Sequence, residues 1–391
     1  MKHIIYLICF LTFSLSLTSQ NSIENVLDQI EKNNTSLKAL RSKIEAKKIG
    51  NKTGTYLQNP EVEFHYLWSN PTTIGNRTDI TITQGFDFPT AYKHRNNVSD
   101  LRNLQVDVEY KKQLREVLLQ ARYVCLELIY SNAVHNELIM RKEHASEIAK
   151  SYGRKFESGE SNILEYNKVK LALLNITNRL STIEIEIEAL RSTLSGYNGG
   201  LKVDFDQSEF LVMVLPEDFD IWYAQAEKNN PVLNWIKQEI EVNRAQEQYA
   251  KAMSLPKIEA GYMSEAIVGE KFQGVIVGLS IPLWENKNTV KYIKGNTLAY
   301  ENLEADSKLQ FYNRLLTLHN KAIKLQKSVE NYRNQMELLN NSSLLKKALD
   351  SGEISLIEYI YEFSIYYESI DNLLKMEMEL SKTVAELNQY Q

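Results

Sequence analysis

The feature that most limits how this chain can fold is an internal repeat over nearly its whole length of 391 residues. Four pairs of landmarks recur in the same order, 193 to 196 residues apart: the tetrapeptide Glu-Lys-Asn-Asn at 31–34 and 227–230, Pro60 and Pro256, Pro89 and Pro282, and Gly159 and Gly352. A period this long is far beyond that of a solenoid repeat. It indicates the duplication of a whole half-protein.

The repeat predicts two similar halves joined by a connector. We expect the first repeat at 21–198, the connector at 199–220 and the second repeat at 221–391. The connector is marked by GYNGG at 196–200 and by the strand-like FLVMVLP at 210–216, where the helical pattern breaks.

The beginning of the chain has the layout of a secretory signal peptide. Lys2 is followed by an apolar run at 4–17 and then by small and polar residues. The run is shorter than the ~20 residues that a spanning helix needs, so we expect residues 1–20 to be removed on export. No later stretch is long and apolar enough to cross a bilayer as a helix, so entry into a membrane would require β-strands.

Within each repeat, the segment between the two prolines alternates apolar and polar residues. This pattern predicts four strands, at about 60–69, 79–88, 256–264 and 274–283, arranged as two hairpins with loops of about ten residues. An amphipathic hairpin of a soluble protein would show a similar alternation. Strand length, aromatic residues near the strand ends and the signal peptide favour a membrane β-barrel.

The rest of each repeat has the spacing of α-helices. Residues 92–157 lack proline and place apolar residues three and four apart, and 285–350 matches them. Each run predicts a continuous helix of about 100 Å. The segments 163–195 and 356–390 continue the pattern, so each long helix should fold back on a partner.

Four strands cannot close a barrel. An open sheet in lipid would leave unpaired backbone groups that cost several kcal/mol each. Copies of the chain must therefore pool their strands into a ring, with eight strands from two copies or twelve from three. Helices this long must lie outside the bilayer.

These features together resemble the TolC family of outer-membrane efflux proteins. The resemblance covers about 21–390 and lies in the order helix–hairpin–long helix–turn–helix, repeated twice with prolines at the strand–helix junctions Pro60, Pro89, Pro256 and Pro282. It implies a homotrimer with a twelve-stranded barrel in outer-membrane lipid and a long α-helical barrel in the periplasm. It also implies a periplasmic adaptor (membrane fusion) protein and an inner-membrane pump of the resistance–nodulation or ATP-driven type.

The two most similar stretches of the repeats are FESGESNILEY at 156–166 and LDSGEISLIEY at 349–359. Their glycines can adopt a positive φ and end a helix. Asn162 with Glu165, and Ser355 with Glu358, then have the spacing of capping boxes that start the returning helix. The resemblance implies that these turns are the periplasmic tips of the helices.

The resemblance also implies a gate beside the second tip. In the family, acidic residues six and nine positions after the turn glycine form rings that constrict the tunnel mouth. Glu358 has the first position, and Tyr361 replaces the second acid. A ring of Glu358 would attract cations, and Tyr361 would narrow the aperture by bulk. Glu165 is a further gate candidate, although a capping role is the simpler explanation and the one we favour as its main role.

Adaptor contact is the second role that the resemblance implies for the tips. The candidate residues are Gly159, Glu160, Ser161, Gly352, Glu353 and Ser355. A solvated loop without a partner is the simpler alternative.

Several functions remain open, and others are disfavoured. The cargo of an efflux duct could be drugs, metabolites or metal ions, and the exit duct of a type I protein secretion system would look the same. A secreted coiled-coil structural protein should lack the four strands. Nucleotide-binding, zinc-protease and hydrolase motifs are absent, so no enzyme, cofactor or metal site is expected. A formal charge of −5 argues against nucleic acid.

Overall fold

The computed structural model describes residues 22–211, 215, 216, 218–339 and 341–391. The predicted signal peptide and the middle of the strand-like stretch at 210–216 lie outside these residues. Among the residues described, no helix combines enough length and apolarity to cross a bilayer.

The elements follow the predicted order in both halves of the chain. The first half contains α1 (Ile23–Asn33), α2 (Thr35–Asn51), β1 (Glu61–Leu67), β2 (Arg77–Phe86), α3 (Pro89–Glu157) and α4 (Ile163–Tyr197). The second half contains α5 (Phe219–Asn229), α6 (Pro231–Ala252), β3 (Lys257–Ile267), β4 (Glu270–Ser280), α7 (Thr289–Leu338), α8 (Ser342–Asp350) and α9 (Leu356–Asn388). The predicted repeat of helix, hairpin, long helix, turn and helix is therefore confirmed.

The two hairpins form one antiparallel sheet in the order β1-β2-β3-β4. Its register aligns an apolar row, because Val62 pairs with Ile82, Ile82 with Tyr262, and Tyr262 with Val275. All four side chains of this row are exposed in the single chain. One face of the sheet thus carries apolar side chains that nothing in the described chain covers.

The second hairpin turns more tightly than expected. The β3–β4 ladder runs to the pair Ile267 and Glu270, which leaves a turn of Val268 and Gly269. Both turn residues have positive φ, 47° and 88°, as a two-residue hairpin turn requires. The expectation of a loop of about ten residues is therefore wrong for this hairpin, whereas 68–76 connects β1 and β2.

The second long helix is interrupted. The first runs unbroken from Pro89 to Glu157, but its counterpart ends at Leu338 and α8 begins at Ser342. A continuous helix over 285–350 is therefore wrong. Asn341, Ser342 and Ser343 offer backbone groups an alternative to helical hydrogen bonds, which weakens the helix at this point.

The compact units of the structure do not coincide with the repeats. Of the described residues, unit 1 contains those up to Thr35 and those of Glu116–Leu215 and Leu318–Gln389, and unit 2 contains those of Ser36–Arg115 and Pro216–Thr317 with the last two residues. Each unit thus combines sequence from both repeats. Unit 1 holds both helix tips, and unit 2 holds the sheet and its flanking prolines.

The core of unit 1 consists of helix faces. Ile30, Cys125, Leu128 and Leu194 are fully buried in its largest apolar cluster. Burial of this kind is worth roughly 25 cal/mol per Å² of apolar surface. A smaller cluster of Tyr152, Val169 and Leu356 lies close to the tips and packs the beginnings of α4 and α9 against the end of α3.

Candidate functional site

The first helix tip, which joins α3 to α4, is a glycine turn. Gly159 has φ of 80°, in the left-handed region that favours glycine. Its own N–H bonds to the carbonyl of Phe156, and the N–H of Glu160 bonds to the carbonyl of Lys155 at 2.8 Å. The last carbonyls of α3 are thereby satisfied, as in a Schellman-type helix end.

The second tip, which joins α8 to α9, repeats this turn bond for bond. Gly352 has φ of 74°. Its N–H bonds to the carbonyl of Leu349, and the N–H of Glu353 bonds to the carbonyl of Ala348 at 2.9 Å. The shared sequence of the tips therefore encodes a shared backbone geometry.

The returning helices start differently at the two tips. At the second tip, the N–H of Glu358 donates to Oγ of Ser355 at 3.2 Å, and the N–H of Ser355 donates to Oε2 of Glu358 at 2.8 Å. This is a complete capping box. At the first tip, Asn162 accepts from two backbone N–H groups, but Glu165 accepts instead from the hydroxyl of Ser161 at 2.6 Å. The reciprocal box expected for Asn162 and Glu165 is therefore only half formed.

The gate candidates of the second tip lie on its surface. The Glu358 side chain is exposed, and Tyr361 is 63% exposed. The backbone N–H of Ser355, followed by its hydroxyl, lowers the pKa of the Glu358 carboxyl from its ordinary value. Glu358 is therefore charged at neutral pH, and its carboxylate is held by the N–H of Ser355 at the surface of the tip.

Five of the six adaptor-contact candidates are also exposed. They are Gly159, Glu160, Gly352, Glu353 and Ser355. Ser161 is half-buried by its bond to Glu165. Both tips thus present a fixed backbone turn with a glutamate directly after the glycine.

Sequence reasoning missed a histidine that connects α3 to α9. His144 of α3 lies between two tyrosines of α9, with Nε2 at 2.5 Å from the hydroxyl of Tyr359 and Nδ1 at 3.1 Å from that of Tyr367. The ring of Phe363 is tilted against the imidazole at 4.8 Å. Aromatic residues every four positions, at 359, 363 and 367, were the available signal for a buried helix face.

A partly buried ion cluster extends this contact away from the tips. Asp371 of α9 accepts from Arg141 of α3 at 2.9 Å and from Arg179 of α4 at 2.7 Å. The Arg141 side chain is only 3% exposed and stacks on the ring of Tyr367. One carboxylate thus holds helices from both repeats within unit 1.

Pro89 and Pro282, which follow the second strand of each hairpin, differ in their relation to the next helix. Pro89 is the first residue of α3, where its missing N–H costs nothing. Pro282 does not start a helix, because turns follow it as far as Asn288, which has φ of 68°, and α7 begins only at Thr289.

Beside the Pro89 junction, Arg95 of α3 binds several groups. It pairs with the buried Asp87 after β2, donates to the hydroxyl of Tyr249 at 3.1 Å, and donates to the carbonyl of Gly54 at 3.0 Å. The end of strand β2 is thereby fixed to α3, to α6 and to the segment before β1.

In the part of the chain that the structure describes, no group of three or more His, Cys, Asp or Glu side chains is placed to hold an ion. Glu377, between Met376 and Met378, is buried and paired with Arg333.

The comparisons with known proteins divide between sequence and structure. No family model matches the sequence, and no curated protein matches it. The fold, however, is similar to that of CusC, a protein described as forming a transmembrane channel, with a TM-score of 0.79 and 11% identity, over 94% of this chain and 91% of that one.

Two further solved structures are similar over the same share of the chain. The CmeC outer membrane channel of Campylobacter jejuni has a TM-score of 0.75 at 13% identity and is covered to 85%. The MtrE outer membrane channel of Neisseria gonorrhoeae, solved in its open state, has a TM-score of 0.71 at 9% identity and is covered to 88%. The repeated hairpin, long helix and glycine tip of this chain thus make up the TolC-like fold that these outer membrane channels share.

Proposed function

We propose that this protein is the outer-membrane exit duct of a tripartite efflux system. In this role it is a passive conduit for small molecules such as drugs, metabolites or metal ions, driven by an inner-membrane pump. The similarity of fold over 94% of the chain to outer membrane channels carries the proposal. The expected resistance–nodulation or ATP-driven pump acts through a periplasmic adaptor.

The sheet supports assembly into a trimer. Strands β1 and β4 each pair on one side only within the described chain, and the exposed row from Val62 to Val275 needs an apolar environment. Three copies would pair these edges and close twelve strands, with the apolar row toward lipid and the helices in the periplasm.

The second tip supports a gate. Threefold symmetry would bring three copies of Glu358 together, and their carboxylates would favour cations at the tunnel mouth. Tyr361, three residues further along α9 and equally exposed, would restrict the opening by its size. We assign Glu165 chiefly to the first turn, because its carboxylate is bonded to Ser161.

Both tips support docking of the adaptor. The six residues named for this contact form two turns of the same geometry. In a trimer the turns would form six nearly equivalent positions, a symmetry that a ring of adaptor hairpins could match.

The test combines assembly and transport. The protein extracted from outer membranes in mild detergent should have the mass of a trimer by light scattering and should conduct ions in planar bilayers. A monodisperse monomer that is soluble without detergent would contradict the proposal. In cells, deletion should raise sensitivity to small toxic compounds, whereas loss of one exported protein with unchanged sensitivity would indicate a type I secretion duct.

A further inference from the structure

Unit 1 contains a cavity of about 430 Å³ between α3, α4 and α9. This volume is within the range of pockets that bind small organic molecules. All of its lining residues belong to unit 1, and it lies next to the contact between His144 and Tyr359.

The walls of the cavity are amphipathic. Its apolar lining comes from seven side chains: Leu138, Ala145, Ile148, Ala172, Ile176, Ile360 and Phe363. Its polar lining includes the ion cluster of Arg141, Arg179 and Asp371. Asn175 lies one helical turn from Arg179 and also lines the cavity. A ligand that fills the cavity would therefore need an apolar body and one polar end.

The guanidinium groups have unused donors. Arg141 is 97% buried as a side chain, yet its Nε has no hydrogen-bond partner among the described residues. Arg179 is bonded to Asp371 through Nη2 and is 46% exposed, so its other N–H groups are accessible to solvent and to a ligand in the cavity. An unpaired buried donor costs about 1–3 kcal/mol, but Nε of Arg141 has almost no accessible surface, so Arg179 is the guanidinium group that a ligand reaches first.

We propose that this cavity binds a small organic acid whose carboxylate is held by Arg141 and Arg179 and whose apolar or aromatic body packs against Ile148, Ile176 and Phe363. The inference goes beyond the proposed transport function and rests on it only in that its test assumes a protein of the membrane. A carboxylate fits the planar fork of a guanidinium group and can accept two hydrogen bonds from it.

The surrounding charges are of both signs. Two guanidinium groups share the carboxylate of Asp371, and Arg141 also lies 3.7 Å from the carboxylate of Glu137. Burial raises the pKa of the nearby Glu137 carboxyl, whereas the charge of Arg141 opposes this shift. Glu368, which is exposed, lines the cavity besides Asp371 and opposes an acid.

The test uses three probes with the same body and different ends: 4-phenylbutyrate, 4-phenylbutanol and 4-phenylbutylamine. The full protein is placed in lipid nanodiscs, because free detergent would itself enter an apolar cavity, and binding is measured by isothermal titration calorimetry. The acid should bind, the alcohol should bind at least tenfold more weakly, and the amine should not bind.

Matched variants locate the site. Arg179→Gln should weaken binding of the acid about tenfold or more, since a charge-assisted hydrogen bond is lost. Ala172→Leu should abolish binding by filling the cavity, and Glu368→Gln should tighten it. Arg191→Gln and Ala189→Leu, at exposed positions of the same helix, should leave binding unchanged.

Two results would overturn the inference. Equal binding of all three probes would mean an apolar groove without selection for an acid. Failure of 4-phenylbutyrate to bind, or binding that survives both Arg179→Gln and Ala172→Leu, would mean that the cavity is not the site. A circular dichroism spectrum identical to that of the unmodified protein confirms that each variant is folded.

Discussion

The hydroxyl of Tyr359 lies 2.5 Å from Nε2 of His144, so the beginning of α9 is bonded to α3 within unit 1. The other ring nitrogen of His144 is bonded to Tyr367. Burial lowers the pKa of His144, the positive charge of Lys346 lowers it further, and Glu147 opposes both. His144 is therefore neutral at pH 7, and the contact depends on an uncharged imidazole.

Acidification should weaken unit 1 through this histidine. Because the pKa of His144 is lower in the folded chain than its ordinary value of 6.5, the unfolded chain takes up the proton first. Its contribution to the free energy of unfolding is complete above pH 6.5 and is lost as pH falls below that value toward the folded pKa. The midpoint of heat-induced unfolding should therefore decrease between pH 7.5 and pH 5.

His144→Gln is the control for this titration. The variant should be less stable at pH 7.5, because one tyrosine hydroxyl loses its partner, and its midpoint should change less between pH 7.5 and pH 5. An equal change in both proteins would show that other groups cause the pH dependence. Glu358 does not interfere, because its lowered pKa places its titration below this window.

The capping box allows the charge of Glu358 to be separated from its role in the helix. Glu358→Gln removes the charge but keeps an oxygen that can accept from the N–H of Ser355, so the preference for cations should fall while the helix start remains. The measurement is the reversal potential in planar bilayers under a salt gradient. Because the pKa of Glu358 is lowered, the preference of the unmodified protein should persist at pH 5.

Ser355→Ala is the complementary variant. It removes the cap, at a cost of about 1 kcal/mol of stability, and leaves the charge of Glu358 in place. Its ion preference should be that of the unmodified protein. If selectivity and conductance are also unchanged in Glu358→Gln and Glu358→Ala, Glu358 is a helix cap and not part of a gate.

The helix tips could be predicted from sequence because local chemistry determines them. Gly159 and Gly352 adopt the positive φ that their position after a helix suggests. Ser355 and Glu358 form the box that their spacing predicts. Such short-range patterns act within one turn of helix, where a single sequence suffices to read them.

The break between α7 and α8 could not be predicted in the same way. The stretch contains neither proline nor glycine, and Asn341 and Ser342 are only mildly unfavourable in a helix. The tight turn at Val268 was missed for a related reason. A β-branched residue rarely adopts a positive φ, so Val268 is not a residue that predicts the two-residue turn required by the strand register.

The contacts of α3 with α9 lie beyond sequence reasoning for another reason. His144 and Tyr359 are separated by 215 residues, and Arg141 and Asp371 by 230. Periodicity identifies the buried face of each helix, but it does not identify which residues of two faces meet. The cavity and the ion cluster beside it therefore emerged only from the structure.

Charge reversal at the second tip should disrupt adaptor docking without affecting the channel itself. Glu353→Lys changes an exposed side chain whose backbone N–H keeps its bond to Ala348. We expect crosslinking to the adaptor in cells to fall at least tenfold, with unchanged trimer mass and conductance. Glu188→Lys, at an exposed position near the far end of α4, is the matched control, and equal crosslinking in both variants would count against the tip as the docking surface.

The ion pair at the first strand–helix junction should be important for the stability of unit 2. Asp87 is only 3% exposed as a side chain, and Arg95 provides its cation. Arg95→Met would leave a buried carboxylate without a partner, which typically costs about 3–5 kcal/mol. The midpoint of heat-induced unfolding should fall clearly, whereas Arg102→Met, at an exposed position of the same helix, should change it little.

The double variant Arg95→Met/Asp87→Leu should recover much of the lost stability, because it also removes the buried carboxylate that Arg95→Met leaves without a partner. If the double variant is no more stable than Arg95→Met, the bonds of Arg95 to Tyr249 and Gly54, and not the ion pair, hold the junction.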